Sequence, residues 1–149
     1  MIRVVAALIE SQGRLLICQR RRGGAFALKW EFPGGKMLAS ETPWEALARE
    51  LREELAVDAH IGREVYCARH RYAEMGDRVE VTFLAATLFT SALPARHAVT
   101  RVFERIVWAR RADLRRYDFL AADRILVARL AAGDFPAPFE RPPRSHHSR

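Results

Sequence analysis

Thr42-Pro43-Trp44-Glu45 constrains the fold of this 149-residue chain more tightly than any other stretch, because it fixes where a helix begins. Thr42 offers an N-cap hydroxyl. Pro43 takes the first helical position, where no N–H is needed, and Glu45 completes a capping box. The spacing predicts a helix to about Leu55, with Trp44, Leu47, Ala48, Leu51 and Leu55 as one apolar stripe. Beside that stripe Glu50, Glu53 and Glu54 share about one third of the helix circumference. Five of the 18 acids lie between Glu41 and Glu54, in a chain of net charge +7. Like charges three and four residues apart destabilise a helix by a few tenths of a kcal/mol each. Two readings answer that repulsion. One is a solvated face tied by Glu45–Arg49 and Arg49–Glu53 pairs. The other is a hard divalent cation such as Mg²⁺, which favours carboxylate oxygens alongside the phosphate oxygens of a substrate.

Around this helix the chain reads as alternating extended and helical segments. Ile2–Ile9 and Leu15–Cys18 form a hairpin across Ser11-Gln12-Gly13-Arg14. Arg20 to Trp30 reads as a loop. In Glu31-Phe32-Pro33-Gly34-Gly35-Lys36 the proline and two glycines argue against regular structure. Extended segments Ile61–Tyr72 and Arg78–Phe89 follow, then a loop with Pro94, a strand near Val102–Trp108, a short helix near Ala112–Arg116 and a last helix Ala121–Ala132 ending at Gly133. This order predicts an α+β fold, a mixed sheet sandwiched between helices. Residues 1–133 form one domain, and residues 134–149 read as a disordered tail holding four of the seven prolines.

Composition narrows the class. Half the residues are apolar and 29% are charged, which excludes a fully disordered chain. No apolar run nears the roughly 20 residues of a membrane span, and no secretion signal is recognised at the start. Cys18 and Cys67 are too few for a disulfide scaffold and read as buried thiols, and the five histidines show no metal-ligand spacing. A reducing cytoplasm is the expected compartment. The basic charge suits a polyanionic partner such as a nucleotide. Because 25 residues are Lys or Arg and only Lys29 and Lys36 are lysine, single arginines carry little weight.

The pattern around the carboxylates decides between the two readings. Gly35 is followed after five residues by Glu41, and after seven more by Arg49-Glu50-Leu51-Arg52-Glu53-Glu54-Leu55-Ala56-Val57. This resembles the Nudix box, with Ala56 where the family has glycine. That glycine leaves the helix with positive φ, so alanine there costs about 1 kcal/mol. The preceding Trp30-Glu31-Phe32-Pro33-Gly34-Gly35-Lys36 is similar to the MutT-like branch, whose members cleave nucleoside triphosphates to monophosphate and pyrophosphate.

The resemblance implies a Nudix-type α/β/α sandwich and a Mg²⁺-dependent hydrolase, with Mn²⁺ as a substitute ion. It implies Glu50, Glu53 and Glu54 as metal ligands with the Gly34 carbonyl. Either Glu50 or Glu53 activates the water, and Arg49 orients the carboxylates. Glu104 is the nearest later carboxylate for the metal; it reads equally as a surface acid, with Glu74 and Glu80 as alternatives. Lys36 and Arg20 or Arg21 would hold phosphates. Phe32 reads as a pocket wall or a structural core residue, with Glu31 as a polar group nearby. Asp123 stands where the branch places a base-reading Asn or Asp, or else caps the last helix. Ionised, it would only accept hydrogen bonds, which keeps 8-oxo-dGTP and cytosine nucleotides both open. The competing functions are hydrolysis of another diphosphate compound (ADP-ribose, a dinucleoside polyphosphate, a capped RNA) and a non-catalytic nucleic-acid-binding module. Monomer and homodimer are equally compatible with the sequence, and no membrane partner is expected.

Overall fold

The computed structural model describes residues 1–89 and 102–136. The loop around Pro94, His97 and the tail from 137 onward, including His146 and His147, lie outside the described residues. In chain order the strands are β1 (Ile2–Ser11), β2 (Arg14–Arg20), β3 (Trp30–Glu31), β4 (Gly34–Lys36), β5 (Ala59–Tyr72), β6 (Asp77–Leu88) and β7 (Phe103–Arg110). Helix α1 is Pro43–Leu55 and α2 is Arg124–Ala131, with 3-10 segments at Ala73–Met75, Arg111–Arg116 and Ala121–Asp123.

The strand order is β3-β2-β1-β6-β5, with β4 added to β1 and β7 to β2. Strands β1 and β6 run parallel from Ile2↔Val79 to Ile9↔Ala86; the other pairs are antiparallel. The β1–β2 hairpin turns on Gln12 and Gly13, both at positive φ, as a two-residue turn between twisted strands requires. Alternation along β1 sends Val5, Ala7 and Ile9 to one face, against Leu47, Leu51 and Leu55 of α1. Ala6 and Leu8 go to the other, against Leu126, Val127 and Leu130 of α2. The mixed sheet therefore lies between helices, as expected. No helix among the described residues is long and apolar enough to cross a membrane.

Four local readings are corrected. Residues 30–36 are not irregular: β3 pairs with β2 and β4 with β1 on either side of Phe32-Pro33. Pro33 fits there because only its carbonyl is needed, accepting from the Ala7 N–H at 2.8 Å. Trp44 does not join the core stripe. It is 48% exposed, and Ala46 is buried instead. The first turn of α1 overhangs the sheet, where the indole N–H donates to the Gly62 carbonyl at 2.8 Å. Cys67 is exposed, since it lies on the edge strand β5, where burial is incomplete until Tyr72. The last helix begins as a 3-10 turn at Ala121 and becomes α-helical only at Arg124.

Candidate active site

The helix start is built as its sequence requires. Thr42 Oγ1 accepts the Glu45 N–H at 3.2 Å, and Glu45 Oε1 accepts the Thr42 N–H at 3.3 Å. Ahead of it Glu41 accepts the Leu38 N–H at 2.8 Å and takes Arg49 in two bonds of 2.7 and 2.8 Å. Arg49 also donates to Glu50 at 2.9 Å, to Glu53 at 3.2 Å and to the Lys36 carbonyl at 3.0 Å. One guanidinium thus ties α1 to β4 and fixes two of the three helix carboxylates. The Arg49 bonds, then the Leu38 amide, pull the Glu41 carboxyl down to about 2.

The two glycines after Pro33 bring the helix carboxylates against the sheet. A Cβ on Gly34 would collide with the Val5 carbonyl, and one on Gly35 with the Glu50 carboxyl. Glu54 reaches inward, where the Gly34 N–H donates to it. Its Oε2 is buried with no partner. Burial, then the nearby charges of Glu31 and Glu50, push its carboxyl up to about 9. Glu53 instead stays 59% exposed on Arg49.

Two cavities meet beside Glu54. The larger, about 350 Å³, runs between apolar walls of Val4, Ala6, Phe32, Val79 and Val81 and carries Lys36 and Asp123 among its lining. The smaller, about 230 Å³, is lined by Arg20, Arg21, Val102 and Phe103. Arg20, Ala25, Glu31 and Glu54 belong to both. Arg20 donates to both oxygens of Glu31 at 3.3 Å, so an ion pair stands where the cavities join. Burial raises the Glu31 carboxyl, and Arg20 acts against that.

Phe32 serves both readings at once: it is buried against Phe83 and Phe119 and still lines the larger cavity. Asp123 makes no side-chain cap to α2. It is buried and accepts the Phe32 N–H. Burial, then the Glu31 charge, holds its carboxyl well above the usual range. Glu104 is not brought to the site; it pairs with Arg22 at 3.3 Å and lines neither cavity. Glu80 likewise pairs with Arg69, at 3.0 Å. Sequence reasoning missed Phe26 and Tyr72, whose rings meet edge to face at 4.9 Å and line the larger cavity. Tyr72 closes an alternating strand and carried no local signal. Phe26 sits at positive φ in a loop whose path depends on Arg20 donating to the Ala25 carbonyl at 3.0 Å.

A family model described as the NUDIX domain matches residues 1–130. The chain belongs to the Nudix family. Among relatives it is 36% identical over 125 residues to the CTP pyrophosphohydrolase of Escherichia coli K12, covering 83% of this chain and 86% of that one. It is 46% identical over 66 residues to the 8-oxo-dGTP diphosphatase of Haemophilus influenzae, covering 44% and 48%. Among solved structures it is similar to the E. coli ORF135 protein, with TM-score 0.71, 31% identity and coverage of 94% and 95%. The MutT protein of Staphylococcus aureus gives TM-score 0.67, 32% identity and coverage of 88% and 95%. This chain is therefore a Nudix hydrolase, an enzyme class that acts on nucleotide compounds with divalent metal ions.

The residues present fit such an ion. Among the described residues no three acids, histidines or cysteines already converge as a finished ion site. Yet Glu54 carries an orphaned buried oxygen, and the Glu50 carboxyl lies where a Gly35 Cβ would be. Carboxylate oxygens are the donors a hard divalent cation selects.

Proposed function

We propose that this Nudix hydrolase cleaves a nucleoside triphosphate, foremost a cytosine nucleotide, to monophosphate and pyrophosphate with Mg²⁺ in the cytoplasm. One observation carries the reading: an apolar cavity ending on a buried carboxyl joins a smaller arginine-lined cavity at Glu31, Glu54 and Arg20. A base fits the first, phosphates fit the second, and the bond to be broken lies between them. Cytosine is put ahead of 8-oxoguanine because the CTP pyrophosphohydrolase match has the higher identity, 36% over 125 residues against 33% over 133 residues for a putative 8-oxo-dGTP diphosphatase of Mycobacterium tuberculosis. Both matches are long enough to include Glu31 and Asp123.

In this reading Glu50, Glu53 and Glu54 hold the ion with the help of Gly34, and Mn²⁺ can replace Mg²⁺. The bound ion supplies neutralising charge for the phosphate oxygens and lowers the pKa of water. Arg20, Arg21 and Lys36 hold the phosphates, and entry of phosphate draws Arg20 from Glu31. Arg49 orients Glu50, leaving its Oε2 to accept the attacking water's proton. Glu53 is less suited to that role because it faces solvent. Glu104, paired with Arg22, would be an ion ligand only if that pair were given up. Phe32 walls the base, and Asp123 meets its polar edge.

The test is pyrophosphate release with Mg²⁺ over the common nucleoside triphosphates, 8-oxo-dGTP, ADP-ribose and a dinucleoside polyphosphate. CTP or dCTP as the best substrate, with monophosphate as co-product, supports the reading. Activity confined to ADP-ribose or the dinucleotide overturns it. Glu54→Gln is expected to lose at least about a hundredfold in turnover while remaining folded. Near-wild-type turnover by that variant would remove Glu54 from the ion site.

A further inference from the structure

Tyr72 ends β5 with its side chain turned into the larger cavity, and the residue is only 8% exposed. Its ring is held edge to face by Phe26 at 4.9 Å and by His70 at 4.5 Å. Its hydroxyl oxygen accepts the Ala122 N–H at 2.8 Å, a bond linking positions 50 residues apart. A phenol both donates and accepts. With a lone pair on Ala122, the O–H bond is turned away from that amide. Among the described residues no acceptor takes its proton. A buried hydroxyl whose proton has no protein acceptor, on the wall of a ligand cavity, is arranged for an acceptor on the ligand.

Its place relative to Asp123 indicates which acceptor. Ala122, which fixes the hydroxyl, directly precedes Asp123, and both residues line the same cavity. Into that one cavity the two residues bring a carboxyl oxygen able to accept and a hydroxyl whose proton is unclaimed. Cytosine carries the complementary order on adjacent atoms, with the N4 amino donor beside the N3 acceptor. Uracil reverses it, with O4 as acceptor beside the N3–H donor, and would set donor against donor at Tyr72. We infer that Tyr72 is a specificity-determining residue whose hydroxyl donates to N3 of a cytosine base beside Asp123, selecting cytosine over uracil nucleotides. This assignment rests on the nucleoside triphosphate reading above.

The experiment compares kcat/KM for CTP, UTP and 3-deaza-CTP, which lacks the N3 acceptor, in wild type and Tyr72→Phe. The substitution keeps the ring and its packing, and thermal unfolding checks that the fold persists. The expected loss is roughly three- to tenfold on CTP, little or none on 3-deaza-CTP, and the CTP-over-UTP preference falls by a similar factor. An equal loss on CTP and 3-deaza-CTP would show the hydroxyl acting only through Ala122 and overturn the assignment. An undiminished rate on CTP does the same. Folded wild type that hydrolyses none of the three overturns the cytosine nucleotide reading itself, and this assignment with it. That failure shows before any variant is measured.

Discussion

Arg49 commits all five of its N–H bonds: two to Glu41, one each to Glu50 and Glu53, and one to the Lys36 carbonyl. The pair with Glu53 follows from spacing of i,i+4 and is readable from the sequence. The same spacing assigns Glu45 to Arg49, but Glu45 turns back to close the cap, where a backbone N–H competes for it. Glu41 lies before the helix, so no periodicity couples it to Arg49; its role emerges only once β4 and α1 are folded together. The consequence is measurable in acid. The Glu41 carboxyl is held at about 2 against an ordinary 4.5, so as pH falls the unfolded chain takes up the proton first. Its stabilising contribution is complete above the ordinary value and disappears as pH approaches the folded one. The melting-temperature gap between wild type and Glu41→Gln is therefore widest near neutrality and closes between about pH 4.5 and about pH 2. A gap that stays constant through that window contradicts the Arg49–Glu41 assignment.

At the scale of elements, α1 shows what local chemistry specifies and what it leaves to packing. Its start, length and buried leucines were legible because capping and periodicity act within one turn. Its exit was legible too: Ala56 takes the left-handed conformation, at φ 52°, that the family glycine would take. Ala56→Gly removes that strain and is expected to stabilise the protein by about 0.5–1 kcal/mol, read as a higher urea midpoint with unchanged slope. Trp44 was not legible, because a helical wheel cannot tell where the sheet beneath the helix ends. Nor were β3 and β4. Proline and glycine argue against a strand in general, yet here Gly34 must lack a side chain for β4 to approach β1. The carboxylates of the site were read from one helix. The cavity walls come from β1, β5, β6 and the turn before α2, and only the sheet's register gathers them.

For the molecule as a whole, Arg111 ties the end of β1 to the last residues described. It donates to the nearly buried Glu10 at 2.7 and 3.0 Å and also to the carbonyls of Asp134 and Phe135. Phe135 in turn lies under Arg129, 4.5 Å from its guanidinium carbon, and near Tyr66. The sequence reading ends the last helix at Gly133, two residues beyond its final helical residue, Ala131. It gave no sign that the next residues are held by an arginine more than twenty positions earlier. Arg111→Ala leaves Glu10 buried without its partner and is expected to cost about 3 kcal/mol. Because the pair lies at the far end of β1 from the cavities, kcat should hold at temperatures well below unfolding. A fall in kcat with unchanged stability would contradict this.

The parallel pairing of β1 with β6 has a consequence for how the chain is made. β1 is the central strand, yet it is translated first, and its register with β6 closes only when Ala86 has been added. At ribosomal speeds of about 5–20 residues per second that wait lasts roughly 4–15 seconds. Throughout it, Val4 to Ile9 expose one unpaired edge and apolar side chains that the finished protein hides. β2 and β4 protect only the opposite edge meanwhile. The nascent chain is thus most prone to aggregate before β6 emerges, and a ribosome pause at that point prolongs the exposure.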